Sequence, residues 1–212
     1  AYHVIIQFAA ILAVLLTFKD KFHPSKIELW KKLILAFIPI GVVGFIFASQ
    51  IKAMFDIKIV AIMFIVGGII FLIVEKFYTE KEHFIDDVEK VSYKQAFYIG
   101  LAQIAALIPG TSRAGSTIIG AMLVGLNRKA SAEFSFLLAF PVMCATTGYD
   151  LLKHYKDFSD ANLVVLGVGF VVAFIVAYIT IKLFLKFLEK FTFVAFGIYR
   201  IIFGLVLLIW FV

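Results

Sequence analysis

The residues from Pro109 to Thr117 read Pro-Gly-Thr-Ser-Arg-Ala-Gly-Ser-Thr, the densest run of chemistry-bearing side chains in the chain. Arg113 is flanked by hydroxyls at Thr111, Ser112, Ser116 and Thr117, while Gly110 and Gly115 let the backbone turn tightly. A helix beginning near Ala114 would aim its free backbone N–H groups at this tip. Joined to a planar guanidinium fork, those groups make an anion site, and phosphate suits it best. The alternative is structural: the hydroxyls cap a broken helix and Arg113 pairs with a neighbouring carboxylate.

The surroundings make the arginine costly. Of 212 residues, 63% are apolar and only 16% charged, where a soluble domain carries about 25% charged. The mean hydropathy is +1.05. The excess falls in continuous apolar blocks of the length a helix needs to cross a bilayer, not in the short alternating segments of a membrane barrel. The expected fold is therefore all-α and polytopic. Six spans are expected, near residues 2–18, 33–48, 59–74, 133–152, 163–185 and 191–212. An arginine at mid-membrane costs about 3 kcal/mol on insertion scales, so it needs a partner or a task. The net charge of +6 sits in short loops between blocks, where it reads as a topology signal and gives no indication of nucleic acid.

The segment 95–126 does not read as a span. Two short apolar arms flank the break at Pro109-Gly110, a pattern that fits a re-entrant hairpin buried in protein. Basic residues agree. With a hairpin, the loops 19–32, 76–94, 127–132 and 182–190 share one face and hold fourteen lysines and arginines against four on the other. The positive-inside bias places that face in the cytoplasm. The chain thus divides into a first three-helix half (1–75), the hairpin (95–126) and a second half (133–212), together a single membrane domain. Gln7–Ala13 faintly resembles Glu133–Ala139, which suggests an inverted repeat.

The run from Gln103 to Val142, QIAALIPGTSRAGSTIIGAMLVGLNRKASAEFSFLLAFPV, closely resembles the bacterial undecaprenyl-diphosphate phosphatase family, also called bacitracin-resistance proteins. The similarity extends along the whole chain. Its specific core is a P-G-x-S-R-x-G-x-T loop, matched by Pro109, Gly110, Ser112, Arg113, Gly115 and Thr117, with Ala114 where a second serine is common. The resemblance implies a hydrolase of the plasma (inner) membrane that takes undecaprenyl diphosphate to the monophosphate and inorganic phosphate, recycling the carrier for cell-wall synthesis. It implies a site opening to the outer face. Arg113 would clamp the diphosphate and stabilise charge as the P–O bond breaks. Ser112 and Thr117 would orient it, with Gly110, Thr111, Gly115 and Ser116 completing the phosphate cradle. Ser112 is a candidate nucleophile but needs a neighbouring base, and none is visible. The family's glutamate-rich motif, and the histidine motif after it, match nothing here; they are expected upstream of Ala1. The divalent cation they would hold, Mg²⁺ or Ca²⁺, has no expected ligand in this chain. The competing reading is a carrier or flippase for a phosphorylated lipid or small anion, which an inverted repeat with a broken helix would also serve.

Other residues carry weaker signals. Arg200 lies deep in the last span, as a second phosphate contact or an interhelical partner. Glu133 is expected to be a helix N-terminal carboxylate, able to pair with an arginine across the hairpin, and Asp150 to be interfacial. His3, His23, His83 and His154 have no ligand spacing. Gly67-Gly68 and Gly167-Val168-Gly169 read as close-packing positions, Cys144 as a small packing residue, and residues 75–94 as a solvated loop.

Overall fold

The computed structural model describes residues 2–81, 84–154 and 163–211. His83 and the side chains of His3, Asp150 and His154 lie outside what is described. The described residues are predominantly helical. Helices α1 (Tyr2–Thr17), α2 (Ile27–Ile46), α3 (Ala48–Ala53), α4 (Ile57–Phe77), α5 (Tyr93–Gln103), α6 (Arg113–Leu123), α7 (Arg128–His154), α8 (Leu163–Leu188) and α9 (Val194–Phe211) follow in order. Among the described residues, five stretches are long and apolar enough to cross a membrane, in α2, α4, α7, α8 and α9; α1 supplies a shorter apolar helix, Val4–Thr17. The protein is a multi-pass membrane protein.

The helices before and after the hairpin meet as antiparallel pairs. Gln7, early in α1, accepts a hydrogen bond from Thr147, late in α7, while Phe18, just past the other end of α1, stacks on Phe136. Likewise α4 and α9 run antiparallel, with Phe71 against Phe193 and Phe64 against Phe203. This is the relation that an inverted repeat requires of equivalent helices. Along the α4–α9 seam a Cβ on Gly68 would lie 2.6 Å from the Gly197 carbonyl oxygen, so the close packing expected at Gly67-Gly68 is real. Among the described residues, nothing lies within 4 Å of where a Cβ on Gly167 or Gly169 would sit. That expectation fails, because α8 turns these glycines away from its neighbours.

Helices α5 and α6 are the two arms of the hairpin. Each has 11 residues, about 16 Å of helix, too short to span. Their outer ends are tied together: Gln95 Nε2 donates to the Val124 carbonyl at 2.8 Å. Ser92 and Gln95 close a capping box at the entry. On the exit side Ile85 and the hairpin exchange backbone hydrogen bonds, Ile85 N to Gly125 O and Asn127 N to Ile85 O, both 2.9 Å. The chain thus enters and leaves on one side.

That side gathers the basic loops. Lys21 pairs with Asp87 and Glu89 at 3.2 and 2.7 Å, Lys26 with Glu89 at 2.7 Å, and Lys129 with Glu189 at 2.5 Å. Residues 84–92 are more than a solvated loop, since Val88 and Val91 are fully buried against the core beside Val14 and Leu33. Cys144 is exposed on α7; it is not the interior packing residue its apolar surroundings suggest.

Candidate active site

The hairpin tip is set by α4 and α9. Gly110 has φ +88, a conformation that strains any residue with a Cβ. A Cβ there would also run into the Val60 carbonyl oxygen. Only glycine lets the tip press on α4 at this point. From α9, Arg200 Nη2 donates to the Gly110 carbonyl at 2.8 Å and to the Met63 carbonyl at 3.1 Å, and its guanidinium lies 4.6 Å over the Phe64 ring. A Cβ on Gly67 would fall 2.7 Å from Arg200 Nη2, so the bare Gly67 backbone makes room for this side chain. The interhelical reading of Arg200 holds, since it ties α9 to α4 and to the hairpin tip, and it also lines the cavity described next.

Below the tip, Ser112 caps α6, its Oγ accepting from the Gly115 N–H at 3.0 Å. The hydroxyl hydrogen of Ser112 remains available to a ligand. Ser116 donates to the Ser112 carbonyl at 3.0 Å. A cavity of about 200 Å³ opens beside them, with Thr111, Ser112, Gly115, Ser116 and Arg200 at its polar end and Met63, Gly67 and Ile70 of α4 opposite. A second cavity of about 270 Å³ shares Ser112, Gly115 and Arg200 and is otherwise walled largely by aromatic rings. Measured along α4, the level of Met63 to Gly67 is about 9 to 15 Å from the Ile57 end, well inside the bilayer.

Two expected residues sit elsewhere. Thr117 is fully buried. Its hydroxyl reaches back to the carbonyls of Arg113 and Ala114 at 3.1 and 3.0 Å and meets Ser135 of α7 at 2.5 Å. It fastens α6 to α7 and lines neither cavity, because it lies on the face of α6 away from Ser112 and Ser116. Arg113, one helical turn earlier on that face, also stands apart from the 200 Å³ cavity. Glu133 makes no pair with an arginine. The arginine beyond the hairpin, Arg128, is taken by Glu75 at 2.5 Å and Glu80 at 3.1 Å.

The electrostatic signature is a cluster of unmet hydrogen-bond demand. Among the described residues, the buried side-chain atoms without a partner are Gln103 Nε2 and Oε1, Thr111 Oγ1, Arg113 Nη1 and Arg200 Nε. All belong to the hairpin or to the residue that pins its tip. Each such atom costs about 1–3 kcal/mol if nothing satisfies it; of these residues Thr111 and Arg200 line the 200 Å³ cavity, whereas Gln103 and Arg113 do not. Gln103 escapes a sequence reading because it ends an apolar arm; its one signal there is an amide shortly before the Pro109-Gly110 break. His23, the histidine whose side chain is described, caps a turn at Ser25.

Acidic residues are missing from these walls. No group of three or more His, Cys, Asp or Glu among the described residues could hold a metal ion. The cavity offers hydroxyl and guanidinium groups, which suit an anion and do not suit Mg²⁺ or Ca²⁺.

Fold and site define a class: a polytopic helical membrane protein whose re-entrant hairpin gathers hydroxyls, glycines and the Arg200 guanidinium at its tip. The chain belongs to the bacitracin resistance protein BacA family, whose model matches residues 1–206. It is similar to an undecaprenyl-diphosphatase of Sulfurimonas denitrificans, 68% identical over 212 residues, covering 100% of this chain and 83% of that protein. An undecaprenyl-diphosphatase of a Sulfurovum species is 66% identical over 98% of this chain and 82% of its own length. One from Methanococcus aeolicus is 53% identical over 100% of this chain and 82% of its own length.

Proposed function

We propose that this protein hydrolyses undecaprenyl diphosphate to undecaprenyl phosphate and inorganic phosphate in the bacterial plasma membrane. By recycling the lipid carrier for cell-wall synthesis, that reaction confers resistance to bacitracin. The observation that carries the reading is the set of unpartnered polar atoms around the hairpin tip, in a chain 68% identical to an undecaprenyl-diphosphatase. Arg113 supplies the guanidinium whose Nη1 awaits an anion, and Arg200 Nε supplies a second cationic donor. Both act where charge develops on the bridging oxygen as the P–O–P bond breaks. Ser112 and Thr111 orient phosphate oxygens through their hydroxyls, Ser116 steadies the cradle through its bond to the Ser112 carbonyl, and Gly110 and Gly115 hold the backbone close. Thr117 acts through its bond to Ser135, which sets the rotation of α6. A divalent cation, Mg²⁺ or Ca²⁺, belongs to the proposed reaction, but the described residues do not fit one. The basic face lies in the cytoplasm under this reading, which puts the tip nearer the outer face.

The test is phosphate release from undecaprenyl diphosphate in detergent, with and without Mg²⁺ or Ca²⁺, by the parent and by Arg113→Ala. Release that Arg113→Ala abolishes supports the phosphatase. Binding without release, together with movement of the lipid across sealed vesicles, would replace it with a carrier.

A further inference from the structure

The 200 Å³ cavity is polar at one end only. Along α6 its lining residues Ser112, Ser116, Ile119 and Leu123 are spaced by four, three and four positions, a single helical stripe. The stripe changes from hydroxyl to hydrocarbon as it leaves the tip. Facing it, Met63, Gly67 and Ile70 form a matching stripe on α4. The two helices run in the same direction here, since the tip touches Val60 and the hairpin base meets Tyr78, whose hydroxyl donates to the Leu126 carbonyl at 2.5 Å. From Ser112 to Leu123 the slot is about 16 Å long. At its far end Leu123 is 69% exposed, and partway along it Ile70 is 42% exposed, so no described residue closes it toward the lipid.

We propose that this slot between α4 and α6 is the seat of the substrate's prenyl chain, with the diphosphate at the tip and the isoprene units running toward the hairpin base. The inference rests on the phosphatase reading for the identity of the headgroup. The occupant follows from continuity. One cavity joins an anion end to an apolar trough, and the ligand that satisfies both is an anionic headgroup on a long hydrocarbon. The direction follows too. The head lies near the face opposite the basic loops and the tail points toward them, as in a lipid resident in the leaflet farther from those loops. Entry is sideways from the bilayer, past Leu123 and Ile70.

Binding separates this from the catalytic claim. Affinities would be measured in detergent for undecaprenyl diphosphate, geranyl diphosphate and inorganic pyrophosphate, with the parent, Ile70→Trp, Leu123→Trp and the lipid-facing control Val171→Trp. Both slot positions are exposed, so a larger side chain there leaves the fold intact. Ile70→Trp, high in the slot, should weaken both prenyl ligands at least tenfold. Leu123→Trp should weaken undecaprenyl diphosphate about fivefold or more and leave geranyl diphosphate alone, because two isoprene units stop short of the slot's end. Neither should alter pyrophosphate binding, and Val171→Trp should change nothing. Undecaprenyl diphosphate affinity equal in all four proteins overturns the slot, as does a parent that binds prenyl and inorganic diphosphates alike. A parent that binds with this pattern yet releases no phosphate leaves the slot standing and removes the phosphatase.

Discussion

The Glu75 carboxylate accepts from Arg128 at 2.5 Å while its other oxygen takes the Phe193 backbone N–H at 2.9 Å. Three separate pieces of chain meet at that one side chain: the end of α4, the exit of the hairpin and the turn into α9. With Glu75 only 8% exposed, the charge is tolerated because both carboxylate oxygens have donors.

Breaking this pair should cost far more than a surface ion pair. Glu75→Ala strands Arg128 and an N–H; Arg128→Ala strands a buried carboxylate. Each single variant is expected to lose about 3–5 kcal/mol, read as accelerated thermal inactivation in detergent. The double variant should lose less than the two losses together. Additive losses would mean that the residues act independently.

Arg113 should behave in the opposite way. Its Nη1 has no partner among the described residues, so Arg113→Met removes an unmet demand. The variant is expected to withstand heat at least as well as the parent and to lose phosphate release by about 10²–10³-fold or more. Arg113→Lys should recover only a small part, since one ammonium cannot replace a planar fork. A heat-labile Arg113→Met would show that the guanidinium serves the fold.

Two glycines with positive φ separate strain from contact. Gly125 has φ +96 and nothing within 4 Å of where a Cβ would sit, whereas Gly110 has φ +88 and the Val60 carbonyl oxygen in the way. Gly125→Ala should cost about 1–2 kcal/mol in stability with phosphate release kept. Gly110→Ala should cost more and also abolish release, because the tip must lift from α4 and leave Arg200. Equal effects would show that the contact with Val60 is unimportant.

The loop network should respond to acid. Hydrogen bonds from Lys21 and Lys26 hold Glu89 below the usual carboxylate range. Burial pushes Asp87 upward, but the Glu89 N–H and Lys21 outweigh it and leave Asp87 lowered as well. A lowered folded pKa gives stability that is present above the unfolded value of about 4 and is lost as pH falls through the folded value. Hydrogen exchange in residues 84–92, relative to the intrinsic rate, should therefore be constant from pH 7 to about 5 and accelerate below about 4. Glu89→Gln should weaken that acid response. An unchanged profile would remove these pairs from the account.

Much of the architecture was legible from hydrophobic block length and from the Pro-Gly break, because a bilayer leaves the backbone few alternatives. The tip residues Gly110, Thr111, Ser112 and Ser116 were legible as well, since hydroxyls and glycines around an arginine stand out in an apolar chain. The rotation of α6 was not. Whether Thr117 faces the cavity or Ser135 depends on a partner helix 18 residues further on. Glu75 looked like the first residue of a loop, and its meaning came only from Arg128, 53 positions away. Arg200 could not be assigned because it is held by carbonyls, which every residue has. Gly167 and Gly169 misled for a related reason: small residues permit a close approach without requiring one.

The hairpin is gripped at both ends, by the Ile85 backbone exchange at its base and by Arg200 on the Gly110 carbonyl at its tip. A beam clamped at one end swings; a beam held at both can only bow. On the function proposed above, the cradle would then be a fixed dock and the lipid would do the travelling, sliding in along the bilayer plane until its headgroup stops at the tip.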